Sequence, residues 1–108
     1  MSAFLGPWGL LVLAGLLEIV WALALKASDG FTRPWPTAIT AIGALASFFL
    51  LAQALRDLPA GTGYAVWTGI GALGVAILGV IWFGEAVNAL KIAGVLLIVA
   101  GIAALKLA

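Results

Sequence analysis

The residue in this sequence best suited to chemistry is Glu18, a carboxylate in the middle of an apolar stretch. Residues 10–25 read LLVLAGLLEIVWALAL, and Glu18 is the one charged residue among them. A charge at the centre of a bilayer costs at least ~2.5 kcal/mol on insertion scales, so such residues usually face a cavity and mark an ion, proton or substrate path. The alternative is a neutral carboxylic acid that is hydrogen-bonded to a neighbouring helix. We therefore take Glu18 as the candidate binding group.

Trp21 lies one helical turn after Glu18 and shares its face of the first helix. By helical spacing the same face holds Ala14 and Gly15, two small residues that leave space beside the carboxylate. The indole can donate a hydrogen bond, and its ring can face a cation. The other possible role, an anchor at the membrane interface, does not fit its depth near Glu18.

The third apolar segment places a phenol, an indole and a hydroxyl on one face. Tyr64, Trp67, Thr68 and Gly71 follow helical spacing. Such a face is unusual on a surface that would otherwise contact lipid, which indicates a site. The alternative is a belt of aromatic residues near a helix end.

Ser47 in the second segment lies on a stripe of small, mildly polar residues with Thr40, Gly43 and Ala44. Its hydroxyl can hydrogen-bond Glu18, or it can bond back to a carbonyl of its own helix. Spacing favours neither.

The composition is that of an integral membrane protein. Of 108 residues, 66% are hydrophobic and 8% are charged, against about 25% charged in soluble domains. The length leaves room for about four spans of ~20 residues. The N-terminus has no positively charged region before its apolar run, so we expect a retained first helix rather than a secretory signal.

Several function classes are excluded by residue types that the chain lacks. It contains no Cys and no His, which excludes disulfides, His- or Cys-based metal sites and a Ser-His-Asp triad. A net charge of +1 without a basic patch indicates no nucleic-acid partner. We predict no metal, no cofactor and no enzymatic activity, because a lone carboxylate offers no pair of nucleophile and base.

The prolines and turn residues predict one all-α transmembrane domain, residues 1–108, with four helices. The helices are expected at about 8–26, 34–55, 59–83 and 86–105, and a proline starts each of the first three. Glycines are frequent in membrane helices, where they permit close packing or bending. The glycines predicted to do so are Gly15, Gly43, Gly71, Gly74, Gly94 and Gly101.

The basic residues give almost no orientation signal. Arg56 and Lys106 lie at one end of the predicted bundle, and Lys26, Arg33 and Lys91 lie at the other. The positive-inside rule needs a clear asymmetry. Either this balance is chance, or the protein inserts both ways up and forms an antiparallel homodimer, which supplies with two chains the inverted repeat of larger transporters.

Three stretches resemble the small multidrug resistance family of proton-coupled exporters, and its guanidinium exporter subtype in particular. They are EIVWALALK at 18–26, SDGFT at 28–32 and GTGYAVWTGIG at 61–71. The resemblance covers essentially the whole chain. Pro36, in the sequence RPWP at 33–36, is the one unusual feature, and it affects only the start of the second helix.

The resemblance implies roles for five side chains. Glu18 would bind either the cation or protons. Trp21 and Ser47 would hydrogen-bond and position Glu18, while Tyr64 and Trp67 would line the site. Tyr64 would also act as a switch between the two access states.

The resemblance also implies an assembly and a location. The protein would be a dual-topology, antiparallel homodimer in a bacterial inner membrane, with the fourth helix as the dimer contact through Gly94 and Gly101. Both Glu18 side chains would then lie at one central site.

These features lead to the hypothesis of a proton-coupled antiporter for guanidinium and related small cations. Guanidinium presents its N–H donors in a planar fork that pairs with a carboxylate. Burial disfavours the charged form of a carboxylic acid, and protons and cation need the same oxygens, so their binding is mutually exclusive. The alternatives are export of bulky quaternary ammonium compounds and a non-transporting membrane subunit.

Overall fold

Four α-helices make up the computed structural model, which describes the backbone of residues 2–108 and the side chains of residues 6–108. The helices are α1 (Ser2–Ala27), α2 (Pro34–Ala54), α3 (Ala60–Phe83) and α4 (Ala89–Leu107). Each is long and apolar enough to cross a membrane. The predicted all-α architecture with four membrane-spanning helices is confirmed.

Helix α1 begins earlier than the predicted start at residue 8, but it is interrupted. Gly6 has φ +71° and ψ 167°, outside the helical region, and Pro7 follows it. A proline suits the first turn of a helix, where its missing N–H is not needed. The part of α1 that is long and apolar enough to cross a membrane accordingly begins at this break and runs over Gly6–Ala27.

Helix α4 begins three residues later than the predicted position 86. Gly84, with φ +65°, ends α3 in the left-handed conformation, which is common for glycine at this place. The chain then stays non-helical through Asn88, whose side-chain oxygen accepts a hydrogen bond from the Lys91 amide at 2.8 Å. Asparagine is a preferred N-cap, so α4 starts at Ala89.

The buried core lies between the first three helices. Helix α1 packs against both α2 and α3, whereas α4 packs against α3. The core side chains are Leu10, Leu11 and Ala14 from α1, Leu50, Leu51 and Ala54 from α2, and Val66 and Trp67 from α3. Helix α4 has no fully buried residue: Ile102 and Leu105 pack against the core, whereas Leu96, Leu97 and Val99 are exposed.

Candidate functional site

Glu18 lies half-buried on α1, where this helix passes close to α3. Gly71 of α3 faces the carboxylate directly, and a Cβ atom at position 71 would overlap its Oε1 atom. A side chain at position 71 would therefore have to displace the Glu18 carboxylate from its present position. The same close approach brings Ile70 against Gly15 and Ile19 against Gly74.

Two polar atoms at this site are buried without a protein partner. Among the side chains of residues 6–108, Oε1 of Glu18 and Nε1 of Trp21 are buried and make no hydrogen bond. A buried polar group without a partner costs about 1–3 kcal/mol, more when it is charged. The hydrogen bond from Trp21 to Glu18 that the family resemblance implies is thus not made in this protomer. An acceptor oxygen and a donor N–H therefore lie in this site without a hydrogen-bond partner among the described residues.

Ser47 makes neither of the two hydrogen bonds weighed from its spacing. Its buried hydroxyl donates to the carbonyl oxygen of Ala14 at 2.7 Å and accepts from Nε1 of Trp67 at 2.9 Å. The small residues of α2 and α1 let the two helices approach closely enough for a serine to reach across. Ser47 therefore ties α1, α2 and α3 together one turn from Glu18, rather than holding Glu18 itself.

Four aromatic rings form a continuous row across the three helices. The Trp21 and Phe48 ring centroids are 6.1 Å apart at an interplanar angle of 66°. Phe48 and Trp67 follow at 5.6 Å and 58°, and Trp67 and Tyr64 at 5.5 Å and 54°. These tilted, edge-on arrangements are the favourable ones for aromatic pairs. The predicted residues Trp21, Trp67 and Tyr64 are thus brought into one row.

Phe48 is the member of this row that the sequence did not reveal. It follows Ser47 directly and is 48% exposed, unlike Trp67, which is 5% exposed. A lone phenylalanine in an apolar helix carries no signal that separates it from a lipid-facing residue. Only the ring-to-ring contacts with Trp21 and Trp67 mark it.

The six glycines predicted to serve packing or bending fall into two groups. Gly15, Gly71 and Gly74 face α1–α3 contacts, and Gly43 of α2 lies against the Cβ atom of Trp21, where an added Cβ would be 2.9 Å away. Gly94 and Gly101 of α4 have no atom within 4 Å of an added Cβ. The first group packs helices within the protomer, and the second lies on an open face.

This arrangement suits a small cation with N–H donors better than it suits bond-breaking chemistry. The carboxylate offers a free, buried oxygen, and the row of rings that begins at Trp21 offers aromatic faces. Other ionisable side chains of residues 6–108 lie in the loops or at helix ends. Glu18 is therefore the one charged group placed well inside the described spans.

Comparison with known proteins gives a consistent answer over nearly the whole chain. The Small Multidrug Resistance protein family matches residues 6–98. A Guanidinium exporter of Yersinia pseudotuberculosis is 56% identical over 101 residues, which cover 94% of this chain and 97% of that protein. A Guanidinium exporter of Escherichia coli strain K12 is 53% identical over 100 residues, covering 93% of this chain and 95% of that protein.

A third relative, a Guanidinium exporter of Proteus vulgaris, is 52% identical over 101 residues, covering 94% of this chain and 97% of that protein. All three relatives are named as exporters. The prediction that this chain is not an enzyme is confirmed by these relatives.

Proposed function

This chain belongs to the small multidrug resistance family, and we propose that it is a proton-coupled antiporter that exports guanidinium and related small guanidinyl cations. The observation that carries the proposal is the Glu18 carboxylate. It lies inside a membrane-spanning helix against bare backbone at Gly71, with its Oε1 atom buried and unpaired among residues 6–108. The names of the relatives support guanidinium as the cargo.

Guanidinium fits the groups around Glu18. It is planar and carries N–H donors in a fork, the geometry that pairs bidentately with a carboxylate. Its flat face can also lie against an aromatic ring such as that of Trp21. Quaternary ammonium compounds lack N–H donors and would leave the carboxylate oxygens without hydrogen bonds.

Competition for the Glu18 oxygens provides the coupling. A protonated Glu18 has lost the charge that attracts the cation, and a carboxylate that holds the cation cannot take up a proton. Lowering the pH therefore displaces the cation, and binding of the cation releases a proton. Export against a gradient follows when protons enter from the side on which the cation leaves.

The assembly proposed with this function is an antiparallel, dual-topology homodimer in a bacterial inner membrane. It is supported by the near balance of basic residues at the two ends, two against three. The open face of α4 at Gly94 and Gly101 supports it as well, because small residues allow close helix–helix contact in membranes. In such a dimer, two Glu18 carboxylates would share one cation and titrate as a coupled pair.

The test is uptake of guanidinium into proteoliposomes under an imposed pH gradient. The wild-type protein is expected to accumulate guanidinium on the side that supplies protons, and Glu18→Gln is expected to abolish this uptake because an amide neither ionises nor pairs with a cation. Glu85→Gln is the matched control, since Glu85 lies in the α3–α4 loop and pairs with Lys91 at 3.7 Å. It should transport as the wild type does.

Binding to the same variants separates the two parts of the proposal. Guanidinium affinity should fall as the pH is lowered in the wild type, and this dependence should be absent in Glu18→Gln. Guanidinium binding with unchanged pH dependence in Glu18→Gln would refute the mechanism. Gradient-driven movement of tetraphenylphosphonium but not of guanidinium would keep the antiport and refute the cargo.

A further inference from the structure

An apolar groove of about 350 Å³ lies between α1 and the C-terminal half of α3, and Ile39 of α2 closes one side. This volume is in the range of ligand-binding clefts, about 300–1,000 Å³. Its walls consist of apolar and aromatic residues only. Val20 and Trp82 are wall residues that are 50% and 64% exposed, so the groove is open at the surface of the protomer.

The wall chemistry limits what can occupy the groove. All its residues belong to membrane-spanning segments of α1, α2 and α3. A hydrated or hydrogen-bonding ligand would find at most the indole N–H of Trp82 as a partner and would lose its water contacts, which is unfavourable. A hydrocarbon chain loses nothing on entering, and it is the material that surrounds these helices in a bilayer.

A positive charge stands at the rim of this groove. The ammonium of Lys26 lies 5.5 Å from the centroid of the Phe83 ring, and Phe83 is a wall residue. Lys26 is exposed at the end of α1, where a lysine side chain can extend toward the headgroups. Among residues 6–108, no carboxylate lies within 4.0 Å of this ammonium.

None of the other described charges at this end forms an ion pair with Lys26. Glu85 and Lys91 form an ion pair with each other. Asp29 and Arg33, both in the exposed turn between α1 and α2, carry opposite charges. The Lys26 ammonium is accordingly a positive charge at the groove without a carboxylate beside it among residues 6–108, and its complement is an anion joined to a hydrocarbon chain.

We propose that this groove is a binding site for an anionic phospholipid, with one acyl chain between α1 and α3 and the phosphate on Lys26. The site lies in a single protomer and contains none of the five side chains assigned to cation binding. It is therefore independent of the proposed export activity.

The proposed contact between the lipid phosphate and Lys26 is tested by native mass spectrometry of the full chain in non-ionic detergent. The protein is titrated with dioleoylphosphatidylglycerol and, separately, with dioleoylphosphatidylcholine. The wild type should prefer the anionic lipid, and Lys26→Gln should reduce that preference about fivefold, the factor that one basic side chain contributes at an anionic lipid surface.

Lys106→Gln is the matched control for this charge. Lys106 also lies over an aromatic ring, that of Trp8 at 4.6 Å, but Trp8 is not a wall of the groove. Lys106→Gln should keep the preference of the wild type. Equal losses in both variants, or no preference in the wild type, would overturn the proposal because the attraction would then be only that of net charge.

The proposed position of the acyl chain is tested by a substitution that fills the groove with a large side chain. Val20→Trp should lower phosphatidylglycerol binding, and Val12→Trp, which changes a residue of similar exposure (45%) two turns earlier on α1, should not. Both positions are open at the surface, so neither substitution forces a large ring into the core. Unchanged binding in Val20→Trp would overturn the acyl-chain site even if Lys26→Gln weakened binding.

Discussion

The position of the Glu18 carboxylate depends on Gly71, because the carboxylate occupies the space that a side chain at position 71 of α3 would fill. At the depth of the charge, α1 and α3 are close enough for the carboxylate to lie against the α3 backbone. The shape of the site therefore depends on the missing side chain of a residue on another helix.

We expect Gly71→Ala to weaken guanidinium binding about tenfold or more, because overpacking of this kind costs about 1–3 kcal/mol. The added methyl group would displace the carboxylate from its present position. Gly61→Ala is the control on the same helix, since no atom lies within 4 Å of a Cβ added there. Isothermal titration calorimetry with guanidinium measures the affinity of both variants. Equal affinities of Gly71→Ala and Gly61→Ala would contradict a role of the Glu18–Gly71 contact in binding.

Ser47 stabilises the helix bundle by accepting a hydrogen bond from the buried indole N–H of Trp67. Ser47→Ala leaves that N–H without a partner, which we expect to lower the free energy of unfolding by about 1–3 kcal/mol. Denaturant titration in mixed micelles measures this change.

Thr37→Ala provides the comparison for Ser47→Ala. The Thr37 hydroxyl donates to the Arg33 carbonyl of its own helix at 2.6 Å and links no second helix. Its removal should change stability by no more than ~0.5 kcal/mol, as for most surface substitutions. Equal destabilisation in the two variants would show that the Ser47 hydrogen bonds across three helices contribute no more to the free energy of unfolding than a hydrogen bond within one helix.

At the scale of the elements, the start of α4 is capped by the side chain of Asn88. Asn88→Ala removes the oxygen that accepts the Lys91 amide, and loss of an N-cap costs about 0.5–2 kcal/mol. We expect faster hydrogen exchange of amides in the first turn of α4, whereas Asn88→Asp, which keeps an acceptor, should retain protection. Unchanged exchange in Asn88→Ala would mean that the loop alone sets the boundary.

The helices were predictable from the sequence because each is a long, predominantly apolar run bounded by proline or turn residues. The start of α4 was not, since Gly84 and Asn88 lie in a run whose capping depends on the local backbone. Glu18 could be identified from the sequence as a rare charge and Gly71 as a packing glycine, but their contact with each other could not. The partner of Ser47 and the contacts of Phe48 were not predictable either, because tertiary contacts between α1, α2 and α3 decide them. That Glu18 binds the cation stays a prediction.

At the scale of the whole molecule, insertion in both orientations can be tested with a single label. The chain has no cysteine, so Ala108→Cys creates a unique thiol at the C-terminus. With dual topology, about half of the molecules in sealed spheroplasts should react with an impermeant maleimide, given the weak charge asymmetry. Labelling of all or none of them would exclude dual topology.

A charge-biased variant is the control for this labelling. Arg56→Gln combined with Lys106→Gln removes both basic residues from one end and leaves Lys26, Arg33 and Lys91 at the other. The positive-inside rule then predicts one orientation, with the C-terminus outside and fully labelled. If the labelled fraction did not rise, orientation would depend on something other than loop charge.

Helix α4 contributes none of the five predicted site residues and buries none of its side chains fully in the protomer. In the proposed dimer, the residues assigned to cargo binding and those assigned to contact with the second copy therefore lie in separate stretches of the chain, residues 6–83 and 89–107. A substitution in one of these stretches therefore leaves the residues of the other unchanged. Under the proposal, substitutions on the exposed face of α4 can change the stability of the dimer without altering any of the five side chains assigned to the cargo.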